Sequence, residues 1–156
     1  MMSKLGTVEA IFLAATRGTM PVSVPFAVAH AGRGLEGDRN FDAGDEDSCE
    51  ITLIEAEAID RLRSEFQLDL ESAAARRQVL VRGVDLADFI GRRFRVGEVE
   101  CLGEERCEPC NHLAGLVGTQ TVLRGLLHTG LRARIVKSGT IRPGDAVRVQ
   151  IDEGGL

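Results

Sequence analysis

Residues 104–113 read EERCEPCNHL, and they set Cys107 and Cys110 three apart around Pro109 in a chain that has four cysteines in all. A pair at this spacing serves as half of a zinc site, as a redox dithiol, as one reactive thiol beside a packing neighbour, or as two small buried hydrophobes. Structural zinc calls for about four ligands in two local pairs. Here Cys101 lies six positions before Cys107, Cys49 is far upstream and His112 follows Cys110 by two, so the second knuckle is missing. A thioredoxin-like dithiol opens the helix after the first strand of a βαβ unit. This pair instead comes late in the chain, after a long strand pattern and before a short glycine-ended turn. The chemistry of a low-pKa thiol still fits: Arg106 and the amides of a following helical turn would stabilise a thiolate at Cys110, and Pro109 would fix its approach. Glu105, Arg106, Glu108 and Asn111 make the surroundings polar, which favours a reactive Cys110, whereas Cys101 on an alternating strand reads as core. His112 is an acid or base beside Cys110, or a partly buried polar residue.

The rest of the composition bounds the setting. At 156 residues and 44% apolar content the chain forms one domain, 1–156, able to bury a core without disulfides or metals. Eighteen glycines and 4% aromatic residues predict tight turns around a core of Val, Leu, Ile and Ala. The first residues, MMSKLGTVEA, make a poor secretory signal, and no stretch of about 18 apolar residues predicts a membrane span. A cytoplasmic protein is expected, in which the four thiols stay reduced. A net charge of −5 argues against nucleic acid as a partner. Five carboxylates crowd residues 42–50, while Arg124, Arg132, Arg134, Lys137 and Arg142 follow one another with no acid among them, so that one end of the molecule would attract an anion.

These residues must be positioned by short elements. Residues 5–14 alternate as a first strand, and 21–31 form a second extended run whose Pro21 and Pro25 place it at an edge or make it an irregular wall of the fold. GRGLEGDRNF at 32–41 is a shaped loop. Residues 51–66 change period from strand to helix, 70–77 suit a second short helix, and 78–83 form a strand. Asp85 caps a single turn over 86–89, Gly91 stops it, and FRVGEVECL runs on as one strand. Residues 111–118 and 119–127 read as helical. Residues 131–151 read as two strands around a turn closed by Pro143-Gly144, in type II order. The fold class is mixed α+β, mainly β: a closed or nearly closed β-barrel decorated by short helices.

GRGLEGDR at 32–39, LVRGVDL at 80–86, GRRFRVGEVE at 91–100, RCEPCNHL at 106–113 and the closing residues 124–149 together resemble the MOSC domain. That module ends the molybdenum-cofactor sulfurases and also forms small stand-alone bacterial proteins. The resemblance implies a MOSC-type β-barrel with one characteristic cysteine that carries sulfur bound for metals or holds the molybdenum-pterin cofactor (molybdopterin). Cys110 matches that cysteine and would be the metal ligand, and Cys107 is an extra seen in some small members. One departure stands out: relatives often carry an Asn-Leu pair where this chain has Gln78-Val79.

The resemblance implies a persulfide on Cys110 in sulfur transfer, or direct ligation of molybdenum by its thiolate, with Cys107 and His112 alongside. Arg39, Arg106, Arg124 and Arg132 are the candidates for the pterin phosphate, since guanidinium forks match phosphate oxygens in pairs. Gly37 and Asp38 shape the loop beside the site, with Asp38 and Glu36 satisfying backbone amides or orienting an arginine, and Asn111 lies within reach of the same cofactor. The chain has only Lys4 and Lys137 and no room for a pyridoxal phosphate domain, so no self-contained pyridoxal phosphate site is expected. Sulfur would come from a separate cysteine desulfurase, and a molybdoenzyme is the other expected partner. The alternatives are a molybdenum-dependent reductase of N-hydroxylated compounds, and a non-catalytic binding module that docks a partner through its arginine-rich strands.

Overall fold

The computed structural model describes residues 5–16, 18–42, 50–65, 72, 76–106 and 130–150. Its elements in chain order are β1 (Gly6–Leu13), β2 (Val22–Ser23), β3 (Ala27–His30), β4 (Gly34–Leu35), β5 (Ile51–Glu55), α1 (Ala56–Glu65), β6 (Val79–Arg82), β7 (Arg93–Val96), β8 (Val99–Glu105), β9 (Leu131–Lys137), β10 (Gly139–Ile141) and β11 (Ala146–Val149). A 3₁₀ turn, Leu86–Phe89, sits between β6 and β7. The protein is thus mainly β, as the sequence predicts.

Seven of these strands close a barrel in the order β1-β6-β5-β9-β8-β7-β11, with β11 returning to pair with β1. Closure follows from the alternation in the strands. Along β9 the odd positions Leu131, Ala133 and Ile135 are buried and point inward, while Arg132 and Arg134 are left on the outer face. Every pair in the ring is antiparallel except β5 and β6, which run parallel and are joined through α1. That helix buries Ala56, Ala58, Ile59 and Leu62. Its outer side is fastened by Arg82 of β6, which donates to Glu9 of β1 at 2.7 Å and to Asp60 of α1 at 2.9 Å. These two hydrogen bonds raise the Arg82 pKa above that of an ordinary arginine.

The strand-to-helix change at residues 51–66 and the strand at 78–83 are as predicted. The Asp85 cap is also present, its carboxylate accepting the Ala87 amide at 3.1 Å. Cys101 is fully buried in the core, between the register partners Phe94 and Ile135. The predicted type II turn closes the barrel: Asp145 N–H donates to the Arg142 carbonyl at 3.1 Å, with Gly144 at φ +95°. Val8 N–H then donates to the Asp145 carbonyl, and Gly144 N–H to the Val8 carbonyl, each at 2.8 Å.

Three expectations are corrected. FRVGEVECL is a hairpin of β7 and β8, because Gly97 at φ +61° supplies a two-residue turn between the paired Val96 and Val99. Residues 131–151 hold three strands, since Ser138 interrupts the run and β10 leaves the barrel to pair with β3 in a separate sheet, β10-β3-β4. The shaped loop at 32–41 contains the two-residue strand β4. The edge prediction for 21–31 holds for β2, which Pro21 and Pro25 flank, while β3 is the middle strand of the small sheet. The helices predicted at 111–118 and 119–127, and most of the one at 70–77, lie outside the described residues.

Backbone crowding at one glycine gives a test of barrel geometry. Gly103 N–H donates to the Arg92 carbonyl at 3.0 Å, and a Cβ on Gly103 would overlap the backbone carbonyl of Phe89. Gly91, at φ +74°, has open space around its missing Cβ. Gly103→Ala is expected to lose about 2–3 kcal/mol or more in urea denaturation. Gly91→Ala carries only backbone strain and is expected to lose about 1 kcal/mol.

Candidate functional site

The loop that follows β4 is organised around one carboxylate. Gly37, at φ +88°, turns the chain so that Asp38 folds back against the end of β1, and only 8% of Asp38 remains exposed. Its Oδ1 accepts the Ala14 amide at 3.0 Å. Its Oδ2 accepts the Asn40 amide at 3.1 Å and the Gln78 side-chain Nε2 at 2.8 Å. Arg39 N–H donates to the Ala14 carbonyl at 2.8 Å, which completes the attachment of the loop to β1.

Gln78 carries the connection inward to β5. Its Oε1 accepts the Thr52 amide at 2.8 Å, and its own amide donates to Thr52 Oγ1 at 3.0 Å. Its carbonyl accepts Phe12 N–H at 2.7 Å. In the sequence, Gln78 stands out only as a departure from the asparagine of relatives. The signal for a structural part was a polar residue abutting the apolar run Val79-Leu80-Val81, where a buried amide must find partners.

Two guanidiniums stand beside this network. Arg76 is half-buried, and its backbone is at φ +61°, a left-handed conformation that L residues other than asparagine, aspartate and histidine seldom adopt. Burial, and then the like charge of Arg39, lower the Arg76 pKa below that of an ordinary arginine, while the Asp38 charge acts in the opposite direction. Among the described residues neither Arg39 nor Arg76 has a side-chain hydrogen bond or an ion pair. Arg76 was not among the residues the sequence singled out; its neighbour in space, Arg39, was.

The other predicted residues approach from the opposite side of Thr52. Thr52 of β5 pairs with Arg132 of β9, and Arg132 pairs with Glu105 of β8. Neighbouring strands lie about 4.8 Å apart, so Arg132 occupies the strand next to the Thr52–Gln78 contact. Arg132 lies 3.4 Å from Glu105, and Arg134 lies 3.5 Å from Glu104. Arg106 is exposed at the end of β8. The chain returns to β9 at Gly130, whose amide donates to Glu55 Oε1 at 2.9 Å, and the buried Glu55 also accepts Leu86 N–H at 3.2 Å. The structure therefore sets Arg76 within electrostatic reach of Asp38 and Arg39, with the root of the cysteine segment two strands from β5. Cys107, Cys110, Asn111, His112 and Arg124 lie outside the described residues. Among the described residues no group of three or more metal-ligating side chains is assembled, and no helix is long and apolar enough to cross a membrane.

The outer side of the loop is fixed by charge. Arg33 donates through Nε to Asp42 Oδ1 at 2.7 Å and lies over the Phe41 ring, 4.7 Å from its centroid. His30 Nε2 is 2.7 Å from Glu36 Oε2. Of the acidic run, Asp42 is thus committed to Arg33, and Glu50 accepts the Gly32 and Ile135 amides at 2.9 and 3.2 Å.

The geometry can be set beside known proteins. The family model described as MOSC domain matches residues 38–148. The YuaD protein from Bacillus subtilis has a similar structure, with a TM-score of 0.78 at 16% identity, over 93% of this chain and 95% of that one. YiiM from Geobacillus stearothermophilus has a TM-score of 0.72 at 14% identity, over 94% and 75% of the two chains. YiiM from Escherichia coli has a TM-score of 0.68 at 16% identity, over 97% and 71%. At these identities the likeness is one of fold. No curated protein matches the sequence.

The Arg33–Asp42 pair makes a prediction about acid. The hydrogen bond from Arg33 lowers the Asp42 pKa below the usual 3.8. A depressed aspartate contributes stability that is present above its unfolded pKa and is lost as pH falls through the folded one. An NMR titration is expected to place the Asp42 midpoint below 3.8, and Arg33→Gln is expected to return it to the ordinary range.

Proposed function

The chain belongs to the MOSC domain family, and from that premise we propose that it binds the molybdenum cofactor or carries sulfur for it, with Cys110 as the reactive atom. The observation that supports this reading most is the Arg39–Arg76 pair. Two guanidiniums beside one buried carboxylate leave a local charge of about +1 and, among the described residues, N–H donors without a hydrogen-bonded acid, which suits a phosphate or another oxyanion. Desolvation of Arg76 and the strain at its backbone are costs that an anion at this position would offset.

The residues present fit the cofactor's chemistry as far as they are described. Arg39 and Arg76 would hold the pterin phosphate, Arg132 and Arg106 would flank the approach, and the Cys110 thiolate would be the soft ligand for the metal. When bound, the molybdenum centre supplies two-electron redox chemistry. The chain's own part is to bind the anionic tail, orient it from the rigid barrel wall and keep a thiolate near positive charge. In the sulfur-carrying form, the Cys110 thiolate attacks the outer sulfur of a persulfide on a separate cysteine desulfurase. The donor's S–S bond breaks, its thiolate leaves, and a new S–S bond forms on Cys110. An acceptor nucleophile then takes that sulfur, and the Cys110 thiolate is released. A cytosolic setting, with thiols kept reduced, belongs to the same reading.

Both forms make Cys110 the atom to test. Protein from a molybdate-fed host is expected to retain molybdenum or to label as a persulfide, and Cys110→Ala is expected to reduce that signal by at least about tenfold, with Cys107→Ser close to the parent. Iodoacetamide at neutral pH is expected to modify one thiol quickly and to leave Cys101 untouched until the barrel unfolds. Unchanged metal content and labelling in Cys110→Ala, or four inert thiols, would point instead to a non-catalytic binding module.

A further inference from the structure

The Gln78 side-chain amide is engaged within the protein at both its ends. Its Oε1 takes the Thr52 N–H of β5 at 2.8 Å, and its Nε2 donates to the buried Asp38 at 2.8 Å. The orientation of the amide is chemically fixed, because the Thr52 N–H needs an acceptor and the carboxylate needs a donor. Asp38 in turn receives three neutral donors, from Ala14, Asn40 and Gln78. A carboxylate has about four acceptor positions, so most of its capacity is taken by groups that carry no charge. A carboxylate beside two arginines would ordinarily pair with one of them through a two-pronged hydrogen bond. Among the described residues it does not, although its charge acts on Arg76.

We propose that Gln78 is a positioning residue: by bridging the Thr52 N–H and the Asp38 carboxylate it locks the 36–40 loop to β5, and so holds Arg39 and Arg76 side by side as an oxyanion receptor whose donors Asp38 does not consume. This inference rests on the anion-binding reading above. It also accounts for the length of the side chain. Asparagine is one carbon–carbon bond shorter, about 1.5 Å, and with both contacts already near 2.8 Å it could keep only one within hydrogen-bond range. A glutamine here does mechanical work in the wall of the site, between a strand and a loop, where a shorter amide would leave one partner unsatisfied.

Inorganic sulfate is a suitable probe, since its charge stays at −2 from about pH 5 to pH 8 while carboxylate pairs titrate within that range. Binding to the full chain is followed by calorimetry, and folding of each variant by circular dichroism at the same pH. The parent is expected to bind with an affinity nearly flat in pH, and Arg39→Gln or Arg76→Gln to weaken it at least about tenfold. Gln78→Asn is expected to weaken it about tenfold as well, without touching either arginine. Gln78→Glu is the decisive variant. When protonated, the glutamic acid can donate to Asp38 as the amide does; when ionised, it repels it. Sulfate affinity of Gln78→Glu is therefore expected to approach the parent's near pH 5 and to fall about tenfold or more towards pH 8. A contribution to folding alone would not give a reversible, pH-dependent affinity in folded protein. If the parent does not bind sulfate, or binds it equally well without the arginines, the anion-binding reading fails. If the arginine variants lose binding while folded Gln78→Asn and Gln78→Glu match the parent at every pH, the inference about Gln78 is overturned and the anion site stands.

Discussion

Burial of the Asp38 carboxylate is the constraint around which the described site is built. An ionised group withdrawn from water is costly unless its oxygens are satisfied, and here the donors must come from three separate places: the end of β1, the loop itself, and the residue that opens β6. None of the three can shift alone. A one-residue slip of β6 against β5 would carry Gln78 away from Thr52 and turn its side chain to the other face, leaving Asp38 short of a donor. The β5–β6 register and the attachment of the loop thus meet at the same carboxylate.

The same device recurs around β5, the short strand between β6 and β9. Glu50 immediately precedes it and Glu55 ends it, and each uses its carboxylate to collect backbone amides from elements distant in sequence. Glu50 joins Gly32 of the β3–β4 connection to Ile135 of β9. Glu55 joins Leu86, at the start of the 3₁₀ turn, to Gly130, where the chain enters β9. Five residues of strand are too few to organise their surroundings by ladder bonds alone, and acceptors at both ends extend their reach. Amides that would otherwise be orphaned where a strand gives way to a turn are satisfied in the process.

The parts of the fold that were legible in the sequence share a local cause. The period change at Ile54, the Asp85 cap and the Pro143-Gly144 turn are each specified by residues within a few positions of one another. Misreadings arose where one glycine decided between continuing and turning: Gly97 reads as a tolerated strand residue, yet its positive φ makes the β7–β8 hairpin. In the candidate site, Gly37, Asp38 and Arg39 were singled out from the sequence because they are contiguous. Arg76, Thr52 and Gln78 were not, because their relation to Asp38 is created by the parallel pairing of β5 with β6, a long-range contact that no spacing along the chain encodes. Gln78 was noticed for what it replaces, and only the geometry shows what it does.

The electrostatics of the Asp38 cluster differ from those of the ion pairs elsewhere on the barrel. Arg82 is neutralised twice over, by Glu9 and Asp60, and Arg33 is matched to Asp42. Such exposed pairs fasten elements together and contribute little each to stability. At Asp38 the arrangement is reversed: the carboxylate is supplied with neutral donors, while the arginines beside it are left without a hydrogen-bonded acid among the described residues. Arg76 is kept in an unfavourable backbone conformation and partly desolvated. A cationic pair held apart from its own counter-charge is what recognition of an external anion requires, because donors already used within the protein are not available to a ligand.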